Sequence, residues 1–294
     1  MEAGHSVEAA ESQRVDSPDW YELLQEAVNE PGQLSAAHRF FHKYSLANRW
    51  LASLQLRKLG LPLMPINTFG TRDKKTGEGL TGWLAVNRHV KKDEKATISL
   101  YVPVTIKKKP SAKKAAAIAA GAAEDKEDVF KKFILRSAWF HLGQTDGEEF
   151  KPEEVTRGDW QLTGALDFLE IKETPFEFLS VTDKRLGCAV GQEISISPLE
   201  THQTYGRLRE MARIVLGHTA ETPSKSVPTE PALQDLEAET AAYLCAATLG
   251  ISGLDEARMR LQLNLAKDAK LRIPDKCAHR AFSAADKLIN AGYC

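Results

Sequence analysis

The sequence predicts an α+β protein, with a helix-plus-antiparallel-sheet half followed by a mostly helical half that holds one short hairpin or sheet. Three observations carry this. Apolar residues fall at helical spacing near the start, through Trp20, Leu23, Leu24 and Val28 and again from about Ser35 to Leu59. From Leu63 to Leu142 the pattern changes to short β-rich runs. After a hairpin-like stretch at Leu186 to Pro198, helical spacing returns at Tyr205 and persists to the end.

Taken in order, residues 1–16 are polar and read as a disordered leader. Ser17-Pro18-Asp19 reads as a helix start, with Ser17 as cap and Pro18 at the first helical position. Pro31-Gly32 ends that helix. The next helix is expected to run unbroken from Ser35 to Leu59. Strands are expected at Ile66 to Phe69, Gly82 to Val86, Ala96 to Val102 and Val129 to Leu142, with a basic turn at Lys91 to Lys95. Residues 107–128 run from a lysine cluster through alanines to acidic residues and read as a mobile insertion. A turn at Gln144 to Glu148 closes a first domain, 17–150. The second, 151–294, starts with short helices and then a hairpin around Gly191. The helix at Tyr205 to His218 comes next, followed by a proline-bearing linker at 219–232 and a helix at Leu233 to Leu249. Two more helices, divided near Pro274, end the chain.

The net charge of −1 hides an asymmetry. Gln33 to Phe133 holds twenty Lys and Arg against eight Asp and Glu, a local charge of +12 that leaves about −13 for the remainder. So basic a segment suits a polyanion, although a charge run also serves as a plain solvated face. No apolar run reaches membrane-spanning length, and the start lacks the basic and apolar parts of a signal peptide. The four cysteines are widely spaced with no C-x-x-C pair, as expected of free thiols in a reducing cytoplasm. There is no P-loop and no G-x-G-x-x-G, so nothing points to a nucleotide cofactor.

Two stretches carry chemistry. Phe41 to Leu51 mixes aromatic and basic residues, and Ser45 and Asn48 stand three apart. That mix suits a platform for single-stranded nucleic acid, but composition alone favours a core helix with buried Tyr and Trp. The second stretch is Arg209-Glu210-Met211-Ala212-Arg213, the frame of H-E-x-x-H with arginine at both histidine positions. In the intact signature two imidazoles one turn apart grip zinc and the glutamate activates the metal-bound water. A guanidinium stays protonated and has no lone pair for a metal.

The ordered set of motifs resembles the ArdC-like antirestriction proteins of plasmids and phages, over about Trp20 to Gly292. In the first half the matches are Tyr44-Ser45-x-x-Asn48, Trp83, Val90-Lys91-Lys92-x-Glu94-Lys95, Pro103-Val104, Trp139-Phe140 and Gln144-Thr145-x-Gly147. Asp93 stands where the family usually has Gly. In the second half they are Gly187-x-Ala189-x-Gly191-x-x-Ile194, Leu216-Gly217-His218, Glu237-Ala238-Glu239 and Gly292 after Ala284-Ala285-Asp286-Lys287. The resemblance implies an N-terminal single-stranded DNA-binding domain and a C-terminal zincin-like domain. The candidate DNA contacts in that domain are Tyr44, Ser45, Asn48, Arg49, Trp83, Lys91, Lys92 and Lys95. Glu210 then aligns with the water-activating carboxylate, and Glu237 or Glu239 with the third metal ligand.

The expected function is a cytoplasmic single-stranded DNA-binding protein of the antirestriction type, with a catalytically inactive zincin-like domain and no zinc or other cofactor. Two alternatives stand beside it. One is a metallopeptidase with relocated ligands, His202 and His218 being the available imidazoles. The other is an interaction module whose arginine-filled cleft takes a protein partner. Within that cleft, Arg209 and Arg213 are expected to pair with Glu237 or Glu239.

Overall fold

The computed structural model describes residues 19–30, 32–108, 128–151, 160–180, 184–266, 269 and 271–293. The leader, Ser17-Pro18 and most of the 107–128 insertion lie outside the described residues. Helix α1 (Trp20–Asn29) starts at Asp19, whose carboxylate accepts from the Glu22 N–H at 2.6 Å. A second carboxylate, Asp275, accepts from the Trp20 and Tyr21 N–H groups and so ties this helix start to the far end of the chain.

The single helix expected from Ser35 to Leu59 is two helices, α2 (Gln33–Phe41) and α3 (Leu46–Lys58). Ser45 breaks them with an extended backbone (φ −61°, ψ 154°). The break redirects α3 onto a strand. Asn48 bonds both the N–H and the C=O of Tyr101 at 2.9 Å, and Gln55 does the same to Ser99 at 2.9 and 2.8 Å. Two side-chain amides thus satisfy backbone groups on a strand edge that would otherwise need another strand.

That strand is β3 (Ile98–Lys108), paired antiparallel along its length with β4 (Asp128–His141). β1 (Ile66–Thr68) pairs with the other side of β4, giving the order β1-β4-β3. β2 (Arg88–Val90) and β5 (Thr145–Gly147) form a separate two-stranded piece. The strand expected at Gly82 to Val86 is instead a 3-10 turn that buries Trp83 completely, its indole N–H donating to Phe140 C=O at 3.0 Å. Asp93 has φ +67°, a left-handed conformation that costs an ordinary side chain, which explains a preference for glycine at that turn.

The second half has α4 (Leu162–Phe168), β6 (Lys172–Glu173), the hairpin β7 (Gly187–Val190) and β8 (Glu193–Ile196), then α5 (Gln203–Val215). α6 (Pro231–Leu249), α7 (Asp255–Asn264) and α8 (Asp275–Ala291) follow. β6 joins β8 in parallel, and Gly191 turns the hairpin with φ +57°. The overall class is α+β, as the sequence predicts.

The larger hydrophobic core does not stop at residue 150. Leu23, Leu24 and Val28 of α1 and Trp50 of α3 share it with Leu208, Leu244, Phe282 and Leu288. A smaller core lies between α2, α3 and the sheet, built on Phe41, Leu56, Ile98, Leu100 and Trp139. Cys188, Cys245 and Cys277 are free thiols, and among the described residues no helix is long and apolar enough to cross a membrane.

Candidate functional site

Helix α5 buries Leu208, Met211 and Ala212 and spaces Tyr205, Arg209 and Arg213 four apart along one side. Glu210 is also buried, at 1 % exposure, and β7 runs against it: a Cβ on Gly187 would sit 3.0 Å from Glu210 Cγ. Such a charge needs partners. Arg209 Nε donates to Glu210 Oε1 at 3.2 Å, and Arg213 Nε stands 3.2 Å from Oε2. Arg213 also reaches Asp235 at 2.7 Å. The pairing of these arginines with Glu237 or Glu239 is therefore not formed.

The reason lies in how α6 faces α5. Asp235 and Glu239, four residues apart, share one side of α6. Asp235 meets Arg213, while Glu239 accepts from the Tyr205 hydroxyl at 3.1 Å and from Arg260 at 2.6 Å. Burial, and next the Glu239 charge, push the Tyr205 phenol well above its ordinary value.

Glu237 points the other way, into a separate buried cluster. It sits 2.7 Å from His218 Nε2 and accepts from Arg280 at 2.8 and 3.2 Å. Burial opposes its charge, but the His218 and Arg280 hydrogen bonds hold the carboxyl below its ordinary value. Burial and the adjacent Glu237 push the Cys277 thiol up to about 11. Arg280 also donates to Leu216 C=O at 2.7 Å and Ser226 Oγ at 3.0 Å, tying the end of α5 and the 219–232 segment to α8.

Of the two glutamates, Glu239 is the one that shares a cleft with Arg209. This cleft, about 270 Å³, is also lined by Glu200, His202, Tyr205, Glu256 and Arg260. Two arginines there face three glutamates, so the cleft is not a strongly positive one. His202 stacks over Gly253, where a Cβ would lie 2.4 Å from the ring. His218 lies beyond the other end of the 13-residue helix, about 20 Å along its axis, so the two imidazoles do not converge. Among the described residues no group of three His, Cys, Asp or Glu side chains is placed to hold a metal ion. Zinc does not fit the frame as it stands: both Glu210 oxygens lie against guanidinium nitrogens, and the two positions beside it offer donors only.

The eight residues assigned to DNA contact are dispersed. Asn48 and Trp83 are spent inside the protein, on Tyr101 and Phe140. Arg49 is 2 % exposed, 2.9 Å from His38 Nδ1 and 3.6 Å from Asp286, and it donates to His42 C=O at 2.8 Å. Tyr44 is half-buried with its hydroxyl donating to Ile66 C=O, and burial pushes its phenol up to about 12. Ser45, Lys91, Lys92 and Lys95 reach solvent. Lys91 does so while donating to Gly143 C=O at 3.0 Å. Gln144 and Thr145 are buried and bind the surrounding turns: Gln144 joins Glu94, Lys95 and Thr97, and Thr145 accepts from Arg88. This stretch is therefore a knot that holds the lysine turn in place.

A surface feature with no signal in the sequence lies where α1, α3, β3, β4 and α8 meet. Trp20 stacks on Tyr101 with ring centres 4.9 Å apart, His279 stands edge-on to Trp20 at 4.4 Å, and Phe133 on β4 is half exposed nearby. Its residues are scattered from 20 to 286, so no local pattern could reveal it.

No protein-family model matches the chain, and no curated protein does. Among solved structures it is similar to the metal-free antirestriction protein ArdC of the R388 plasmid. The TM-score is 0.45 and the identity 14 %, covering 93 % of this chain and 97 % of that one. The Mn(II)-bound structure of that protein gives a TM-score of 0.42 at the same identity and coverage.

Proposed function

We propose that the chain binds single-stranded DNA, as an antirestriction-type protein shielding incoming mobile-element DNA, and that its H-E-x-x-H-derived cleft holds ion pairs in place of zinc. The observation that carries DNA binding is where the positive charge of the first half ends up. Arg39, Lys74, Lys75, Lys92, Lys95 and Lys132 are all exposed, and among the described residues Lys92 and Lys95 form no ion pair. Phosphates would supply the missing partners and release counterions, so affinity would fall steeply with salt. The shared motifs support the antirestriction role. The caged Glu210 carboxylate supports the loss of metal chemistry, because a general base needs a lone pair free for water.

The test is a fluorescence-anisotropy titration with a labelled single-stranded oligonucleotide, run with elemental analysis of the same preparation. Binding that weakens between 50 and 200 mM salt, from metal-free protein, is expected. Absence of binding at low salt and micromolar protein would overturn the reading of DNA binding. One zinc per chain would overturn the reading of the cleft.

A further inference from the structure

The aromatic cleft at the junction of α1, α3, β3, β4 and α8 encloses about 200 Å³. We propose that it takes one unstacked nucleobase of a single-stranded nucleic acid, an inference that rests on the reading of this chain as a single-stranded DNA-binding protein. Ring geometry argues first. Trp20 and Tyr101 are a stacked pair, within 20° of parallel and 4.9 Å apart, and His279 meets Trp20 edge-on at 74°. Phe133 closes the other side, 6.3 Å from His279, and is 52 % exposed. A large ring left in water beside other rings and a polar rim marks a contact surface, and a base offers two flat faces to such rings.

Size and polarity argue next. A cleft of about 200 Å³ has room for one base, and a base reaches such a cleft only when it is out of its stack. Ser45 and Ser283 line the cleft and are exposed, and the Ser45 side chain makes no capping bond to α3. Their hydroxyls can meet the edge of a base. Asp286 also lines the cleft, but its charge is committed to the Leu46 N–H at 2.9 Å and to Arg49 at 3.6 Å.

Charge argues last. An adjoining cleft shares His279 and Ser283 and carries Lys287. Lys276 and Lys287 are exposed on α8, one on each side of the His279 and Ser283 positions. A strand whose base enters the cleft would pass its phosphates along these ammonium groups. The Asp275 carboxylate, next to Lys276 on α8, is spent on the N-terminus of α1.

The test uses the full chain and labelled oligothymidylate at low salt, comparing wild type with Phe133→Ala, Phe133→Trp and, as a remote control, Phe69→Ala. Phe133 and Phe69 are both half exposed, so these variants keep the fold. Phe133→Ala is expected to weaken binding about 5- to 150-fold, the loss of one stacked base. Phe133→Trp should keep the affinity, and Phe69→Ala should leave it unchanged. Photocrosslinking of a bromouracil-substituted oligonucleotide should map to Trp20, Tyr101, Phe133 or His279. Tight binding with Phe133→Ala unchanged, or crosslinks confined to other segments, would overturn the base site while leaving single-strand binding standing. Equal affinity for duplex and single strand would also overturn the base site. A wild-type protein that binds no single strand would overturn both.

Discussion

Replacing Glu237 should destabilise the protein more than replacing any exposed charge. Glu237 is fully buried on α6 and receives His218 from the end of α5 at 2.7 Å and two nitrogens of Arg280 on α8 at 2.8 and 3.2 Å. Removing the carboxylate leaves Arg280, with a side chain 17 % exposed, facing a polar hole it cannot fill. Breaking one side of such a pair costs about 3–5 kcal/mol. Glu237→Ala should lie near the top of that range. Glu237→Gln should lie near the bottom, because the amide keeps an acceptor and Arg280 keeps Leu216 and Ser226. The assay is urea unfolding followed by circular dichroism. With a slope of about 3 kcal/mol per molar, the midpoint should fall by about 1–1.7 M. The double variant Glu237→Gln/Arg280→Gln should lose less than the sum of its parts, as expected of residues in direct contact. A midpoint shift for Glu237→Ala within the error of the wild type would refute the reasoning.

Three further outcomes are expected. Completing the H-E-x-x-H spacing with Arg209→His and Arg213→His should give stoichiometric zinc by elemental analysis, and adding Glu239→Ala should weaken uptake; a metal-free double variant, or uptake unchanged by Glu239→Ala, would count against Glu239 as the third ligand. Burial, then the nearby Arg49 and His42, push His38 down from 6.5 to about 3. The folded state therefore keeps His38 neutral: its contribution is complete above about 6.5 and declines as pH falls toward 3, by up to about 1.4 kcal/mol per unit. His38→Gln should flatten stability against pH between 6.5 and 5, and an unchanged slope would contradict this. Asn48→Ala should strand the Tyr101 N–H and C=O, costing about 1–3 kcal/mol and speeding hydrogen exchange at Tyr101 but not at Leu208; unchanged exchange would mean that the strand edge does not depend on the amide.

Elements with strong periodicity were legible in the sequence. The helix at 203–215 and the hairpin around Gly191 follow from spacing and turn residues alone, whereas β3 runs past the expected end at Val102 to Lys108, pairing Lys107 and Lys108 of the expected insertion with Val129 and Asp128. The break at Ser45 was not legible, because residues on both sides keep helical spacing while the contacts that fix it are long-range, from Asn48 and Gln55 to β3 and from the Leu46 N–H to Asp286. Gly82 to Val86 reads as a strand because apolar residues cluster there, but Gly82 has φ +63° and the chain turns to bury Trp83. The same limit governs the sites. The H-E-x-x-H frame is visible as a spacing, while the partners of its arginines depend on which side of α6 faces α5. The Tyr44 to Trp50 mixture has the composition of a nucleic-acid platform, yet Asn48 and Arg49 find their partners 53 residues away at Tyr101 and, through space, at Asp286. Composition cannot distinguish a buried polar network from an exposed one.

The core shared by the two halves means that the chain cannot be cut into independent pieces near residue 155. A fragment holding residues 19–151 would show Leu23, Leu24, Val28 and Trp50 to water, with no Leu244, Phe282 or Leu288 to cover them. Its first helix would also lose Asp275 as a second cap. The complementary fragment would lack the same surface from the opposite side. Two such fragments made separately should each be sticky and poorly folded, and mixing them should restore the molecule, as complementing halves of one folding unit.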